Sequence, residues 1–157
     1  MSDAAPIELR DLPPSAAGEL MTLQRAAFVT EAQRYNSPFH PATVQTLEEL
    51  VAELAATTCI AAFAGRRLVG AVRTFEADDV LHISRLVVAP DLQGRGIGTR
   101  LLAAAEDRTR LARATLFTGH LSAGNLRLYE RQGYVEQRRE DIGSGVILVH
   151  LTKIVQT

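Results

Sequence analysis

The chain has 157 residues, 46% hydrophobic, 22% charged and 5% aromatic, with a formal net charge of -1 at pH 7. That length and composition suit a globular protein with a buried core, and a single domain over 1–157 is expected. The balanced charge and few aromatics give no pull toward nucleic acid or an acidic membrane, and no run approaches the ~18 apolar residues of a membrane span.

The N-terminal stretch "MSDAAPIELRDLPPS" carries acids and prolines where a signal peptide needs a basic and then an apolar region, so a cytoplasmic protein is expected. "IELRDL" (7–12) reads as a strand stopped by Pro13 and Pro14. A helix follows over 16–33, with Leu20, Leu23, Ala27 and Phe28 at helical spacing. The stretch 34–43 holds two prolines and reads as a loop; Thr46 and Glu49 stand in capping-box spacing at the head of a helix over 46–54. "TTCIAAFAG" and "RRLVGAVRTFE" read as two strands joined at Gly65, Arg66 and Arg67. The lone cysteine, Cys59, falls in the first of them as a buried thiol; one cysteine excludes a disulfide framework, and no metal site is expected. "VLHISRLVVAP" (80–90) is the longest strand. A helix is expected over 94–113, with Leu101, Leu102, Ala105 and Leu111 on one side, followed by a strand in "ATLFTGH". "SAGNLRLYERQ" is a helix with Ser122 as N-cap and Gly133 as stop. "YVEQRRED" and "GVILVHLTK" form a hairpin around "IGSG". The order is β-α-α-β-β-β-α-β-α-β-β, an α/β chain in which strand and helix alternate only in the second half, so the sheet is expected to be mixed.

Gly94, Gly96 and Gly98 stand at two-residue intervals between the strand ending at Pro90 and the helix that follows. Glycine costs about 0.5–1 kcal/mol relative to alanine in regular structure, so the cluster points to a sharp turn or a close approach. Amides at a helix N-terminus lack intrahelical partners and sit at the positive end of its dipole, where anions bind. With Arg95 and Arg100 nearby, the stretch fits a polyanion. It is not a P-loop, because no GK[ST] occurs. It is not a dinucleotide fingerprint either, because the spacing is GxGxG and no acid lies about 20 residues on, in "TLFTGH".

"LVVAPDLQGRGIG" resembles the [QR]-x-x-G-x-[GA] motif of the GNAT N-acetyltransferase superfamily: Gln93, Gly96 and Gly98 fill it, and Leu86, Val88 and Pro90 match its lead-in. "GNLRLYERQGY" (124–134) is similar to that family's N-x-x-x-x-Y-E-x-x-G-[FY] segment, through Asn125, Tyr129, Glu130, Gly133 and Tyr134. The resemblance implies a three-layer fold with a mixed, mostly antiparallel sheet of about seven strands and about four helices. It implies acetyl-CoA as acetyl donor, with the pyrophosphate on the turn of Gln93, Gly94, Arg95, Gly96, Ile97, Gly98 and Thr99. The pantetheine arm would lie along Leu86, Val87 and Val88, the amide of Val87 or Val88 would polarise the thioester carbonyl, Asn125 would help hold the arm, and Tyr129 would protonate the leaving thiolate.

An alkyl amine near pKa 10.4 needs about 4.6 kcal/mol to lose its proton at neutral pH, so a base is sought near the thioester. His82 is the candidate on the long strand, where strict alternation puts His82, Ser84, Leu86 and Val88 on one face and Ile83, Arg85 and Val87 on the other. His120 is a second candidate, Glu31 reads as part of an exposed charged face, and Arg85 suits either an acceptor carboxylate or a salt bridge. The resemblance implies an acceptor pocket built from "EAQRYNSPFHPAT", including Tyr35 and Phe39, and the last hairpin, for the primary amine of a small molecule. The alternatives are a protein N-terminal or lysine acetyltransferase and a non-catalytic acyl-CoA-binding module. The final strand is expected to be exposed and able to pair across a homodimer.

Overall fold

The structure, a computed structural model, describes residues 5–37 and 40–156. The strands are β1 (Ile7–Asp11), β2 (Thr58–Ala64), β3 (Arg67–Ala77), β4 (Val80–Val88), β5 (Arg113–Gly119), β6 (Val135–Asp141) and β7 (Ile147–Ile154). The helices are α1 (Ala17–Arg34), α2 (Pro41–Val44), α3 (Leu47–Ala56), α4 (Ile97–Arg108) and α5 (Ala123–Arg131). The strands make one sheet in the order β1-β2-β3-β4-β5-β7-β6, antiparallel except between β4 and β5.

Two faces of β3 show how the layers are built. Arg73 points to one face, where it meets Gln24 of α1 and Glu53 of α3. Gly70 lies on the other, where a Cβ would come within 3.0 Å of Leu101 and 3.1 Å of Ile97 in α4. A glycine there lets α4 pack tightly on the sheet. Leu101 and Leu102 are fully buried and belong to the same core as Val69, Val72 and Ala62. On the opposite face Arg73, 1% exposed, joins a polar web. Its Nη2 donates to Gln24, whose amide donates to Gln45, whose amide in turn donates to Glu53. Burying a guanidinium costs several kcal/mol unless it is partnered, and this web supplies the partners while tying three helices to β3.

Several sequence expectations change. The stretch 34–43 is not all loop: His40 caps the four-residue α2 by accepting the Ala42 amide at Nδ1. Helix α4 ends at Arg108, short of 113, because Thr109 turns extended and its hydroxyl donates to Glu76 on β3. Leu111 therefore lies beyond the helix and not on its apolar side. Alternation in β4 breaks at Arg85, which has φ +52°, and the β3–β4 register slips a residue there: Arg73 faces Ser84 while Ala71 faces Val87. The final strand is not an edge, because β7 pairs with β5 on one side and β6 on the other. At this end of the sheet the edge is β6, exposed along its whole length and rich in charge, a composition that discourages edge-to-edge pairing. Among the described residues, no helix is long and apolar enough to cross a membrane.

Candidate active site

The glycine turn begins after Pro90–Leu92. Gly94 (φ +77°) and Gly96 (φ +82°) adopt left-handed conformations that side chains disfavour, and both face open space. Gly96 is the N-cap of α4, and the first helical bond runs from the Arg100 amide to its carbonyl. The amides of Ile97, Gly98 and Thr99 thus precede the first intrahelical donor, at the positive end of a twelve-residue helix. The glycines are there for dihedral angle and for access, and together they present a ring of amides to an incoming anion.

The same turn borders a split in the sheet. β4 and β5 pair over three rungs only, Val80–Arg113, Leu81–Ala114 and His82–Thr115, and then diverge. β4 keeps its bonds to β3 and β5 keeps its bonds to β7. The Ala89 amide donates to Val69 in β3. Successive residues of a strand point their peptide groups to opposite edges, so the Val88 peptide group faces the split. Its carbonyl accepts from Gln93 there, at 3.4 Å. The alternation assigns the Val87 peptide group to β3 and leaves the Val88 N–H as the open donor.

A cleft of about 530 Å³ fills the split. Of the residues expected at a cofactor, Leu86, Val87, Val88, Gln93, Gly94, Gly96, Ile97, Gly98, Thr99 and Asn125 all line it. Arg95 is exposed at the tip of the turn, outside that lining, and Tyr129 is buried behind it, 6% exposed. Asn125 is oriented by a bond from its amide to the Thr118 hydroxyl, 3.3 Å. Arg34, Arg127 and Arg131 also line the cleft and were not singled out by sequence. The signal for the last two was their four-residue spacing on α5, which sets both on one helix face beside the glycine turn. Arg100 serves the scaffold: it donates to the Ile7 carbonyl of β1.

Tyr129 packs edge-on against Tyr134, ring centroids 6.2 Å apart. Burial pushes its phenol well above the ordinary tyrosine range, and the charge of Glu31 adds to the effect. The group stays protonated at neutral pH, as a proton donor must. His82 is not brought to the cleft. It stacks on Phe75, centroids 4.7 Å apart, on the last rung before the split and away from the lining residues. His120 is tied to β7: its amide donates to the Ile147 carbonyl and its Nδ1 accepts the Ile147 amide. His40 stacks on Phe28, which lines the cleft; burial lowers its pKa, as does the charge of Arg85. Among the described residues Arg85 forms no salt bridge. Phe39 lies outside the described residues.

Glu31 departs most from expectation. It is no solvated helix face: its side chain is 17% exposed and lines the cleft. One oxygen accepts from Ser122 Oγ at 2.5 Å and the other from Arg34 Nη1 at 2.6 Å. Ser122 Oγ lies 2.7 Å from the Tyr35 hydroxyl, which accepts the Leu121 amide at 2.9 Å. This web joins the end of α1 to the β5–α5 connection across the mouth of the split.

Comparison with known proteins agrees with this fold. The fold is that of N-acetyltransferases. The PaiA N-acetyltransferase of Thermoplasma acidophilum, solved in complex with coenzyme A, superposes with a TM-score of 0.76 at 19% identity, over 95% of this chain and 99% of that one. The ribosomal-protein-S18-alanine N-acetyltransferase of Escherichia coli gives a TM-score of 0.78 at 14% identity, over 97% and 96%. The chain belongs to the acetyltransferase (GNAT) domain family, whose model matches residues 25–155. A curated relative, the S-(2-succino)cysteine N-acetyltransferase of Bacillus subtilis strain 168, is 37% identical over 81 residues. That match spans 47% of this chain and 48% of the relative, so about half of each protein is compared.

Proposed function

We propose that this chain transfers the acetyl group of acetyl-CoA to the primary amine of a small molecule by direct attack within a ternary complex. The observation that carries the reading is the parting of β4 and β5 after three rungs, beside the amide-lined glycine turn, where strand alternation turns the Val88 N–H toward the cleft. The donor set fits coenzyme A: free helix-terminal amides and three arginines suit a polyphosphate, and an unpaired strand edge suits an amide-bearing arm. Bound there, acetyl-CoA supplies an activated acyl carbon.

The chain's own groups then have distinct tasks. The turn amides and the arginines hold the phosphates. The Val88 N–H, fixed in place by the ladder to β3, donates to the thioester oxygen as negative charge develops on it; a preorganised donor of this kind does so without reorganising. Asn125, held by Thr118, steadies the arm. Tyr129, kept protonated by its surroundings, returns a proton to the departing sulfur. Two features support a small acceptor: the cleft is compact, and the curated relative acts on an amino acid that carries extra carboxylates.

The test compares coenzyme A, acetyl-CoA and NADPH by calorimetry and thermal shift, then follows thiol release from acetyl-CoA with amine acceptors. Binding of both CoA species but not NADPH, with turnover, is expected. Tyr129→Phe is expected to keep CoA affinity and lose about 10²–10⁴-fold in kcat. Failure to bind either CoA species overturns the reading, and equal kcat in Tyr129→Phe removes that residue from the chemistry.

A further inference from the structure

The cleft is furnished for an anion, yet a carboxylate stands in its wall. Among the described residues that line it, Glu31 is the one acid, beside Arg34, Arg127 and Arg131. Arg34 pairs with one of its oxygens at 2.6 Å, which leaves Arg127 and Arg131 as the cations of the lining that no acid in the cleft wall holds.

The carboxylate is also held with more care than a surface acid requires. The hydrogen bonds that reach it have one possible direction. The Leu121 amide can only donate, so the Tyr35 hydroxyl accepts it. The Glu31 carboxylate can only accept, so the Ser122 proton points at Glu31. The Tyr35 proton is left for Ser122 Oγ. Three donors in series thus end on one oxygen, and Arg34 fixes the other. A carboxylate offers about four lone-pair sites, so two contacts leave acceptor capacity unused on a side chain that lines the cleft. Gly119 belongs to the same device. A Cβ at that position would fall 2.0 Å from the Tyr35 hydroxyl oxygen, so only glycine lets Tyr35 reach Leu121 and Ser122.

We infer that Glu31 is the docking group for the acceptor's ammonium, and that the acceptor enters the cleft as an alkylammonium cation and releases one proton to water before its nitrogen attacks. The substrate class is thereby a small aliphatic primary amine, charged at neutral pH, rather than an aromatic amine or an alcohol. The inference rests on the acetyl-transfer reading above. It makes Glu31 a substrate-binding residue, and makes Ser122 and Tyr35 its positioning residues.

Glu31→Gln tests it, since glutamine keeps an oxygen for Ser122 and removes the charge. Acetyl-CoA is used with S-(2-succino)cysteine, L-cysteine and spermidine as parallel acceptors. The expected result is an amine KM raised about 10–100-fold, the scale of a lost charge-assisted hydrogen bond, with kcat changed far less. Coenzyme A affinity by calorimetry should be unchanged or tighter, because Arg34 is released from its carboxylate partner, and the melting temperature should hold. Turnover by the unaltered protein with the same KM in Glu31→Gln overturns the inference alone. Coenzyme A affinity and melting temperature falling together in the variant also overturns it, by making the web a structural clamp. No turnover of any acceptor by the unaltered protein overturns the acetyl-transfer reading and this inference with it. Should Glu31→Gln fail to fold, Ser122→Ala keeps the charge but frees one oxygen. It is expected to raise the amine KM more weakly, and an unchanged KM there counts against the inference.

Discussion

At Gly119 a Cβ would lie 2.0 Å from the Tyr35 hydroxyl oxygen and 2.4 Å from the ring carbon that bears it, a conflict of space with the Tyr35 side chain. Gly96 is the contrasting case: nothing lies near its missing Cβ, and its φ of +82° is what excludes a side chain. Gly119→Ala is therefore expected to destabilise by about 1–3 kcal/mol, the usual cost of overfilling a packed site. In a Tyr35→Ala background the same change should cost far less, because the atoms it collides with are gone. Denaturant midpoints for the two single variants and the double variant give the coupling directly. Additive effects would mean that Tyr35 does not occupy the space above Gly119. The sequence shows "TGH" and "RYNS" without any sign that they meet, since Tyr35 and Ser122 are 87 positions apart. Glu31 and Ser122 are 91 apart, which is why the carboxylate reads in sequence as a solvated helix charge. The glycine turn was legible because its signal is local: three glycines inside five residues, set between a strand and a helix.

At the scale of elements the same division holds. The start of α3 was legible because its two determinants stand three residues apart. Thr46 Oγ1 accepts the Glu49 amide at 3.2 Å, and the Glu49 carboxylate accepts the Thr46 amide at 3.0 Å. The end of α4 was not, because it is set by the Thr109 hydroxyl reaching Glu76, 33 positions away on β3. Nor was the break in β4, where Arg85 takes a left-handed conformation that no local propensity favours. That break changes which peptide groups face the split, so the sequence could name Val87 or Val88 but the register was needed to choose between them. Thr46→Ala is expected to lower stability by about 0.5–2 kcal/mol through loss of the cap. Since α3 lines no part of the cleft, coenzyme A affinity should be unaffected. Equilibrium unfolding and calorimetry on the one variant check both parts, and a loss of affinity would mean that the frame of α3 reaches the site.

For the molecule as a whole, three buried acids with raised pKa values set an alkaline limit. Burial pushes the Cys59 thiol up from 9.0 to about 11. Burial pushes both Tyr129 and Tyr134 well above the ordinary 10.0, helped at Tyr129 by the charge of Glu31 and at Tyr134 by that of Glu106, to which its hydroxyl also donates. In each case the folded chain holds the proton more tightly than the unfolded chain. Their contribution is therefore complete at neutral pH, where both states are protonated. It declines once the unfolded chain begins to ionise, because the unfolded state then binds fewer protons. The thiol comes first, losing its share as pH rises from 9.0 toward about 11, and the phenols follow above 10.0. Urea midpoints measured through that range should fall with rising pH, and the fall should begin later in Cys59→Ala, which removes the earliest group. Tyr129→Phe should flatten the upper part of the curve while leaving the start in place. A midpoint independent of pH through this range would mean that these groups ionise as easily inside the fold as outside it, and that the tyrosine beside the cleft is not held protonated by its surroundings.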